Sequence, residues 1–193
     1  SFYIQSRMYH YLYVRGSSMS SIKTAAVALA AATFLLPVKA DEWHVSASYS
    51  TDQLRGARIG YRTESTQFSF LDWAGSPQVS LEMGLNHWQD SNDTSDNITA
   101  LTVSPVFQWQ LTESATPLYL EAGIGGSYFD KTRIGDRRLS TQFQFEDRVG
   151  FSWQYSAHSK ARITVQYSHY SNADIERPND GLDFYSIYWV LPI

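Results

Sequence analysis

Two residues in the sequence His169-Tyr170-Ser171 carry side chains suited to acid–base and nucleophilic chemistry. If this segment is a β-strand, residues two apart point to the same face, so the imidazole and the hydroxyl lie side by side. Asp183 follows on the next segment and adds a carboxylate. A serine, a histidine and a carboxylate are the nucleophile, base and orienting group of an acyl-transfer site. Whether they act together depends on which face of which strand carries them.

The elements that would position these residues are β-strands, because polar and apolar residues alternate over most of the chain after residue 40. Many of the segments have about ten residues or more, which is the length that a tilted strand needs to cross a bilayer. Clusters of turn-forming residues separate eight predicted strands, at 43–50, 56–70, 78–90, 98–111, 117–130, 141–156, 161–171 and 183–193.

Two all-β folds would place these strands differently. In a soluble sandwich or lipocalin the apolar face points inward, whereas in a transmembrane barrel it faces lipid and the polar face fills the interior. The apolar face is rich in aromatic residues, and the opposite face carries charged residues such as Glu121, Glu146, Arg148 and Arg162. Both features favour an eight-stranded antiparallel transmembrane β-barrel of the bacterial outer membrane. Alternation alone leaves the soluble fold open.

The N-terminal part has the features of an export signal. Residues 19–40 begin with Met19, continue through a short basic segment and an Ala/Leu-rich stretch, and end in the small-residue site Val38-Lys39-Ala40. We therefore expect residues 1–18 to be an upstream extension, 19–40 to be a signal peptide and 41–193 to form one barrel domain.

Composition limits the partners and cofactors. The chain has no cysteine, which excludes disulfides and thiolate metal sites. Its net charge of −4 argues against nucleic acid as a partner. Aromatic residues make up 15% of the chain, and tyrosine and tryptophan are enriched where rings meet a membrane–water boundary. Membrane lipid is the partner that this composition favours. The composition leaves open whether the protein is a monomer or a homodimer.

In the membrane barrel, His169, Ser171 and Asp183 fall on lipid-facing positions of two adjacent strands. They lie near the end with the longer loops, which outer-membrane barrels direct outward. Polar groups on a lipid-facing stripe are unfavourable and commonly functional. Three nearby residues offer donors for a developing oxyanion, either from a side chain or from the backbone: Asn172, Asn179 and Gly181.

These residues also have ordinary structural interpretations. A histidine at a barrel rim is commonly an interface residue, and serine and asparagine near a turn commonly stabilise that turn. Asp147 on the preceding strand fits either a group that supports His169 or a salt bridge at the rim of the lumen. Four basic residues in one loop suit either phosphate groups or an ordinary solvated charge run: Lys131, Arg133, Arg137 and Arg138.

Several motifs resemble the lipid A 3-O-deacylase (PagL) family. The resemblance implies an outer-membrane barrel that acts in the outer leaflet. There it hydrolyses the ester-linked acyl chain at position 3 of lipid A, the anchor of lipopolysaccharide, without a metal or other cofactor. The motifs lie within roughly residues 98–193, namely Glu121-Ala122-Gly123-Ile124-Gly125, Thr132-Arg133-Ile134-Gly135-Asp136, Phe145-Glu146-Asp147-Arg148-Val149-Gly150, His169-Tyr170-Ser171-Asn172-Ala173 and Pro178-Asn179-Asp180-Gly181.

The same resemblance implies roles for individual residues. Ser171 is the nucleophile and His169 the base, while Asn172 and Asn179 lie near the active site, with Asn179 the stronger candidate for holding the oxyanion. The acidic member of the family is often glutamate, whereas the matching residue here is Asp183. Because aspartate is shorter by one methylene, the backbone must bring it closer to His169, or it must bond to the imidazole less directly.

Two functions of other kinds remain open from the sequence. A non-enzymatic small barrel of the adhesion or integrity type predicts that removal of the Ser171 hydroxyl leaves lipid A acylation unchanged. A barrel acyltransferase or phospholipase acting on glycerophospholipid predicts that lipid A keeps its acyl chain at position 3 or gains one elsewhere.

Overall fold

The computed structural model describes residues 40–193, which form a closed antiparallel barrel. β1 (Ala40–Tyr49) pairs with both β2 (Leu54–Thr63) and β11 (Leu182–Pro192), and the pairing of β2 with β4 (Gln78–Asp90) closes the sheet. All strands except the short β3 (Thr66–Gln67), β7 (Arg133–Ile134) and β8 (Arg137–Arg138) form the barrel wall, so the described residues confirm the predicted eight-stranded barrel. In chain order the elements are β1 (Ala40–Tyr49), β2 (Leu54–Thr63), β3 (Thr66–Gln67), a 3-10 helix (Ser69–Ala74), β4 (Gln78–Asp90), β5 (Asn97–Gln110), β6 (Leu118–Phe129), β7 (Arg133–Ile134), β8 (Arg137–Arg138), β9 (Phe143–Gln154), β10 (Arg162–Ser171) and β11 (Leu182–Pro192).

The two ends of the barrel differ in their connections. Ala40 and Pro192 lie at one end, which we call the terminal end, together with connections 64–77, 111–117 and 155–161. The other end, which we call the loop end, carries connections 50–53, 91–96, 130–142 and 172–181. The expected excess of long connections at the loop end is only partly present, because connection 64–77 at the terminal end is the longest of the seven.

The second strand is shorter than predicted, and this accounts for the long connection. β2 ends at Thr63, whose hydroxyl accepts the backbone N–H of Leu81 at 3.0 Å. The alternating aromatic residues that follow form a 3-10 helix, not the end of a strand over 56–70. Trp109 holds this helix by donating its indole N–H to the carbonyl of Ala74 at 2.8 Å. Phe70 and Trp73 are exposed on the helix.

The two faces of the barrel wall have opposite character. Glu146 and Arg148 are buried on the inner face, as are Glu121 and Arg162, which confirms the predicted polar interior. The soluble-barrel alternative is wrong, because its apolar face would point inward. Large apolar side chains are instead exposed on the outer face, among them Val45, Ile59, Leu85, Leu101, Phe151, Val165, Ile187 and Trp189.

Ion pairs fill the middle of the barrel. Arg58 bridges two carboxylates, at 2.7 Å from Glu82 Oε1 and 2.7 Å from Glu146 Oε1. Arg62 joins Glu82 to Glu121, and Arg148 also contacts Glu82. A buried charge is tolerated when it is paired in this way, whereas removal of one partner leaves the other uncompensated. The network therefore ties several strands into one unit.

An apolar cluster fills the interior at the loop end. Trp88 stacks on Phe184 with 4.6 Å between ring centroids, and Tyr170 meets the same indole edge-on. The Tyr170 hydroxyl donates to Glu146 Oε1 at 2.7 Å, which links the cluster to the ion pairs below it. Further members are Leu54, Ile98, Ala100, Phe129, Ile134, Leu139 and Leu182. The cluster packs directly behind the strand ends that carry His169 and Asp183.

The proposed signal peptide and upstream extension, residues 1–18 and 19–40, lie outside the described residues except for Ala40. Between residues 40 and 193, no helix is long and apolar enough to span a bilayer.

Candidate active site

His169 and Asp183 form a hydrogen-bonded pair on the outer face at the loop end. The register of β10 and β11 places the two residues directly opposite each other. His169 Nδ1 lies 2.8 Å from Asp183 Oδ1. The side chains are 36% and 33% exposed, so both remain accessible from the surface. Backbone register thus brings the short aspartate carboxylate within direct contact of the imidazole.

Ser171 is the last residue of β10 and shares the face of His169. It lies opposite Phe145 of β9 and is partly exposed. Its hydroxyl makes no hydrogen bond to any other residue of the described chain, so the hydrogen bond between Ser171 and His169 is not formed. Catalytic hydrogen bonds are often long without substrate and shorten when it binds. Two of the three residues are therefore joined, and the third lies beside them.

Asn172 is fully buried and anchors the connection 172–181. Its side-chain amide donates to the carbonyls of Leu139 at 2.9 Å and Glu176 at 2.8 Å. Its backbone N–H donates to Asn179 Oδ1 at 3.2 Å. The donors of Asn172 are therefore engaged within the protein, and the residue fixes the orientation of Asn179.

Asn179 has its amide nitrogen at the surface of the same connection. This nitrogen makes one long contact, 3.4 Å to Asp174 Oδ1. Asp174 is held mainly by a hydrogen bond from Arg177, which lowers the pKa of the Asp174 carboxyl and keeps it an acceptor. The Asn179 amide nitrogen therefore makes only a weak hydrogen bond within the protein.

Gly181 lies against the imidazole at the start of β11. Its φ of +67° is a left-handed conformation that favours glycine. A Cβ at this position would lie 3.0 Å from His169 Cε1 and 3.1 Å from the carbonyl of Tyr170. The absence of a side chain at Gly181 therefore lets the backbone approach the His169 ring closely.

The connection 130–142 holds the connection 172–181 in place. Asp180 and Arg138 bond in both directions, with Asp180 Oδ2 accepting the Arg138 N–H at 2.8 Å and the Asp180 N–H donating to the Arg138 carbonyl at 3.0 Å. The Ser140 hydroxyl donates to the carbonyl of Pro178 at 2.6 Å. The backbone that flanks His169 is thus supported from a second loop.

Three of the four basic residues in this loop have partners within the protein. Arg137 donates to Asp52 Oδ1 at 2.5 Å, and this hydrogen bond raises the pKa of the Arg137 guanidinium. Lys131 donates to the carbonyl of Asn97, and Arg133 to that of Gly135. In the described chain the Arg138 guanidinium makes no such bond and is exposed. Binding of phosphate by these residues stays a prediction.

Asp147 lies on the outer face of β9, directly opposite His169 on the side away from Asp183. It is exposed and makes no ion pair with another described residue. This location does not fit a salt bridge at the rim of the lumen, because the side chain points away from the interior. It places a second carboxylate beside the imidazole.

Tyr167 is a residue that reasoning from the sequence missed. It lies two residues before His169 on the same face, and its hydroxyl donates to Asp183 Oδ1 at 2.5 Å. Alternation along residues 161–171 places it on the lipid-facing apolar stripe with Ile163 and Val165, which gives no reason to expect a role in the site. The available signal was its position, because two-residue spacing on one strand places Tyr167 beside the His169–Asp183 pair.

Comparison with known proteins gives one consistent family. The family described as Lipid A 3-O-deacylase (PagL) matches residues 55–192. Lipid A deacylase PagL of Pseudomonas aeruginosa is 32% identical over 112 residues, which are 58% of this chain and 63% of that protein. Lipid A deacylase PagL of Bordetella bronchiseptica is 32% identical over 162 residues, which are 81% of this chain and 87% of that protein.

The fold agrees with this match. The crystal structure of the outer membrane enzyme PagL superimposes with a TM-score of 0.66 at 24% identity, covering 79% of this chain and 99% of that one. At this identity the likeness shows the barrel fold alone. The match of the family over most of the barrel is what decides membership, and it confirms the resemblance seen in the motifs. The chain is an outer-membrane β-barrel protein and belongs to the lipid A 3-O-deacylase (PagL) family.

Proposed function

We propose that this protein hydrolyses the 3-O-linked acyl chain of lipid A by a serine esterase mechanism at the loop end of the barrel. The observation that carries the proposal is the hydrogen-bonded pair of His169 and Asp183, with Ser171 on the same lipid-facing edge. Both relatives with 32% identity are lipid A deacylases, which supports the choice of substrate.

Asp183 sets the tautomer of the neutral His169 imidazole in this mechanism. As a carboxylate it accepts a hydrogen bond, so the proton of neutral His169 resides on Nδ1 and Nε2 is free to act as a base. His169 Nε2 then removes the proton from Ser171 Oγ as the oxygen attacks the ester carbonyl. Asp183 stabilises the imidazolium that forms.

The two half-reactions follow from this proton transfer. The tetrahedral intermediate collapses when imidazolium donates its proton to the sugar oxygen at position 3, which breaks the ester bond and leaves the acyl group on Ser171. Water, deprotonated by His169, then attacks the acyl-enzyme. The fatty acid leaves and Ser171 regains its proton, so the enzyme returns to its starting state without a cofactor.

Donors for the oxyanion come from the connection 172–181. The Asn179 amide nitrogen has only a 3.4 Å contact within the protein, so it is available to a developing negative charge. The Gly181 backbone lies next to the imidazole, and we assign its N–H as the second donor. Asn172 contributes by holding Asn179 Oδ1 through its backbone N–H, which directs the Asn179 amide.

The site lies on the surface of the barrel that an ester embedded in a membrane can reach. His169, Ser171 and Asp183 lie on the outer face, where acyl chains of a lipid reach them without leaving the bilayer. With the loop end directed outward, the site meets the outer leaflet, in which lipid A resides. Asp147 places a second carboxylate beside His169, on the side away from Asp183.

Mass spectrometry of lipid A tests this function. Cells that lack the activity would express the wild type, Ser171→Ala or His169→Asn at matched levels of folded protein. We expect the wild type to remove the 3-hydroxyacyl group from position 3 and both variants to leave it in place. Loss of this group in cells that express Ser171→Ala would show that the proposed mechanism is wrong.

A further inference from the structure

We propose that Tyr167 is a positioning residue that fixes the short carboxylate of Asp183 against His169. The inference rests on the proposed function and adds a fourth residue to its machinery. Tyr167 donates its hydroxyl to Asp183 Oδ1 at 2.5 Å, and this same oxygen lies 2.8 Å from His169 Nδ1. One carboxylate oxygen thus receives two donors from the same strand.

The shared oxygen determines which way the carboxylate turns. The terminal torsion of aspartate is broad and nearly two-fold, so either oxygen can face a donor on the neighbouring strand. Two donors on β10 converge on Oδ1, His169 from directly opposite Asp183 and Tyr167 from the diagonal position, and together they hold the group in one orientation. An orienting carboxylate must be fixed in this way to hold the imidazole in a productive position.

The Tyr167 hydroxyl also offsets the incomplete hydration of the Asp183 carboxylate. Asp183 lies on the outer face and is only 33% exposed, so water reaches it incompletely. A hydrogen bond to an ionised oxygen is shorter and stronger than one between neutral groups. Tyr167 therefore stabilises the charged form of Asp183 that the mechanism requires.

Tyr167 is itself held in place by its neighbour across the strands. Tyr185 lies directly opposite Tyr167, and the two ring centroids are 5.5 Å apart at an interplanar angle of 50°. Tyr185 follows Asp183 by two residues, so the same strand carries both the carboxylate and the ring that supports its donor. The packing aims the Tyr167 hydroxyl along the strand towards Asp183.

A tyrosine at a membrane boundary also has a purely interfacial explanation, because its ring suits that depth. That explanation predicts that the ring matters and the contact with Asp183 does not. Tyr167→Phe separates the two, since it keeps the ring against Tyr185 and removes only the hydroxyl. Tyr49→Phe is the matched control, because Tyr49 is exposed on the same face of β1 and lies opposite Tyr185 on its other side.

The test measures kcat and KM for release of 3-hydroxy fatty acid from lipid A in detergent micelles by the purified full chain. Rates are expressed per folded molecule, counted from the heat-dependent shift in gel migration. We expect Tyr167→Phe to lower kcat about tenfold, as for loss of a hydrogen bond to a charged group. We expect KM to change by less than about twofold, because substrate binding is not involved. Tyr49→Phe keeps both values.

A second variant tests the reason for the contact. Glutamate is longer by one methylene and reaches His169 with less help, so the hydroxyl should matter less in an Asp183→Glu background. We expect Tyr167→Phe to change kcat by less than about threefold in that background. An equal loss in both backgrounds, or wild-type kcat per folded molecule for Tyr167→Phe, would overturn the assignment.

The assay also separates this inference from the function on which it rests. Ser171→Ala is measured beside the other variants. If Ser171→Ala releases the fatty acid at the wild-type rate, the proposed serine mechanism fails, and with it the role of Tyr167. If Ser171→Ala is inactive while Tyr167→Phe is fully active, only the role of Tyr167 fails.

Discussion

Asp183 faces His169 across the paired strands β10 and β11, and Asp183 Oδ1 lies 2.8 Å from His169 Nδ1. The register of the two strands, without any distortion of the backbone pairing, brings the shorter acid into direct contact with the imidazole. A direct hydrogen bond means that the charge and the geometry of Asp183 both act on His169.

Replacement of this carboxylate should abolish most activity. Asp183→Asn keeps the shape but removes the charge and permits the wrong imidazole tautomer, so we expect kcat/KM to fall by at least about 100-fold. Asp183→Glu keeps the charge and should retain most of the activity. The measurement is the initial rate of fatty acid release by purified protein. A fully active amide variant would show that Asp183 does not orient His169.

Gly181→Ala should impair turnover more than it impairs folding. The new Cβ would lie 3.0 Å from His169 Cε1, and displacement of the imidazole should lower kcat by about tenfold or more. Left-handed backbone alone costs alanine about 1–2 kcal/mol. Gly75→Ala is the control, because Gly75 also has a positive φ but its Cβ would lie 3.5 Å from the nearest atom, on Trp109. Equal kcat for both variants would contradict the account.

Asn172→Asp should loosen the connection that carries Asn179. The change replaces two donated hydrogen bonds with contacts between carboxylate and carbonyl oxygens, which should lower the free energy of unfolding by about 1–3 kcal/mol. Urea unfolding followed by tryptophan fluorescence measures this difference. Asn92→Asp is the control for loss of a hydrogen bond at the surface, because the exposed Asn92 amide donates to Gln53 Oε1 at 2.7 Å. An unchanged unfolding midpoint for Asn172→Asp would mean that these bonds do not hold the loop.

Glu82→Gln should destabilise the whole barrel. Glu82 meets three arginines inside the barrel, namely Arg58, Arg62 and Arg148. Removing its charge leaves them under-compensated, and breaking a buried pair in this way typically costs about 3–5 kcal/mol. The same urea experiment measures it, with Glu113→Gln in the exposed connection 111–117 as the control. If both variants unfold at the wild-type midpoint, the network contributes little to stability.

Much of the fold could be predicted because a barrel wall has a period of two. That period placed Glu146 and Arg148 inside, and it placed His169 and Asp183 on the same outer face. It failed between Thr63 and Phe70, because the alternating aromatic residues that lead into a short helix have the same local pattern as a strand.

The parts of the site that escaped prediction depend on contacts between distant segments. Alternation could not show that Asn172 turns inward to bind the carbonyl of Leu139, since a connection has no fixed period. It could not separate the contact of Tyr167 with Asp183 from ordinary exposure to lipid. It also gave no sign that aromatic rings around Trp88 would pack behind His169, since the interior was expected to be polar throughout.

The most direct test of the central claim is the product formed from purified lipid A by the purified barrel. Wild type and Ser171→Ala, in equal amounts of folded protein, are incubated with lipid A in micelles, and both lipid products are identified by mass spectrometry. We expect wild type to release one 3-hydroxy fatty acid from position 3 and Ser171→Ala to release none above the background. Release by Ser171→Ala at the wild-type rate, or loss of an acyl chain from another position, would contradict the account.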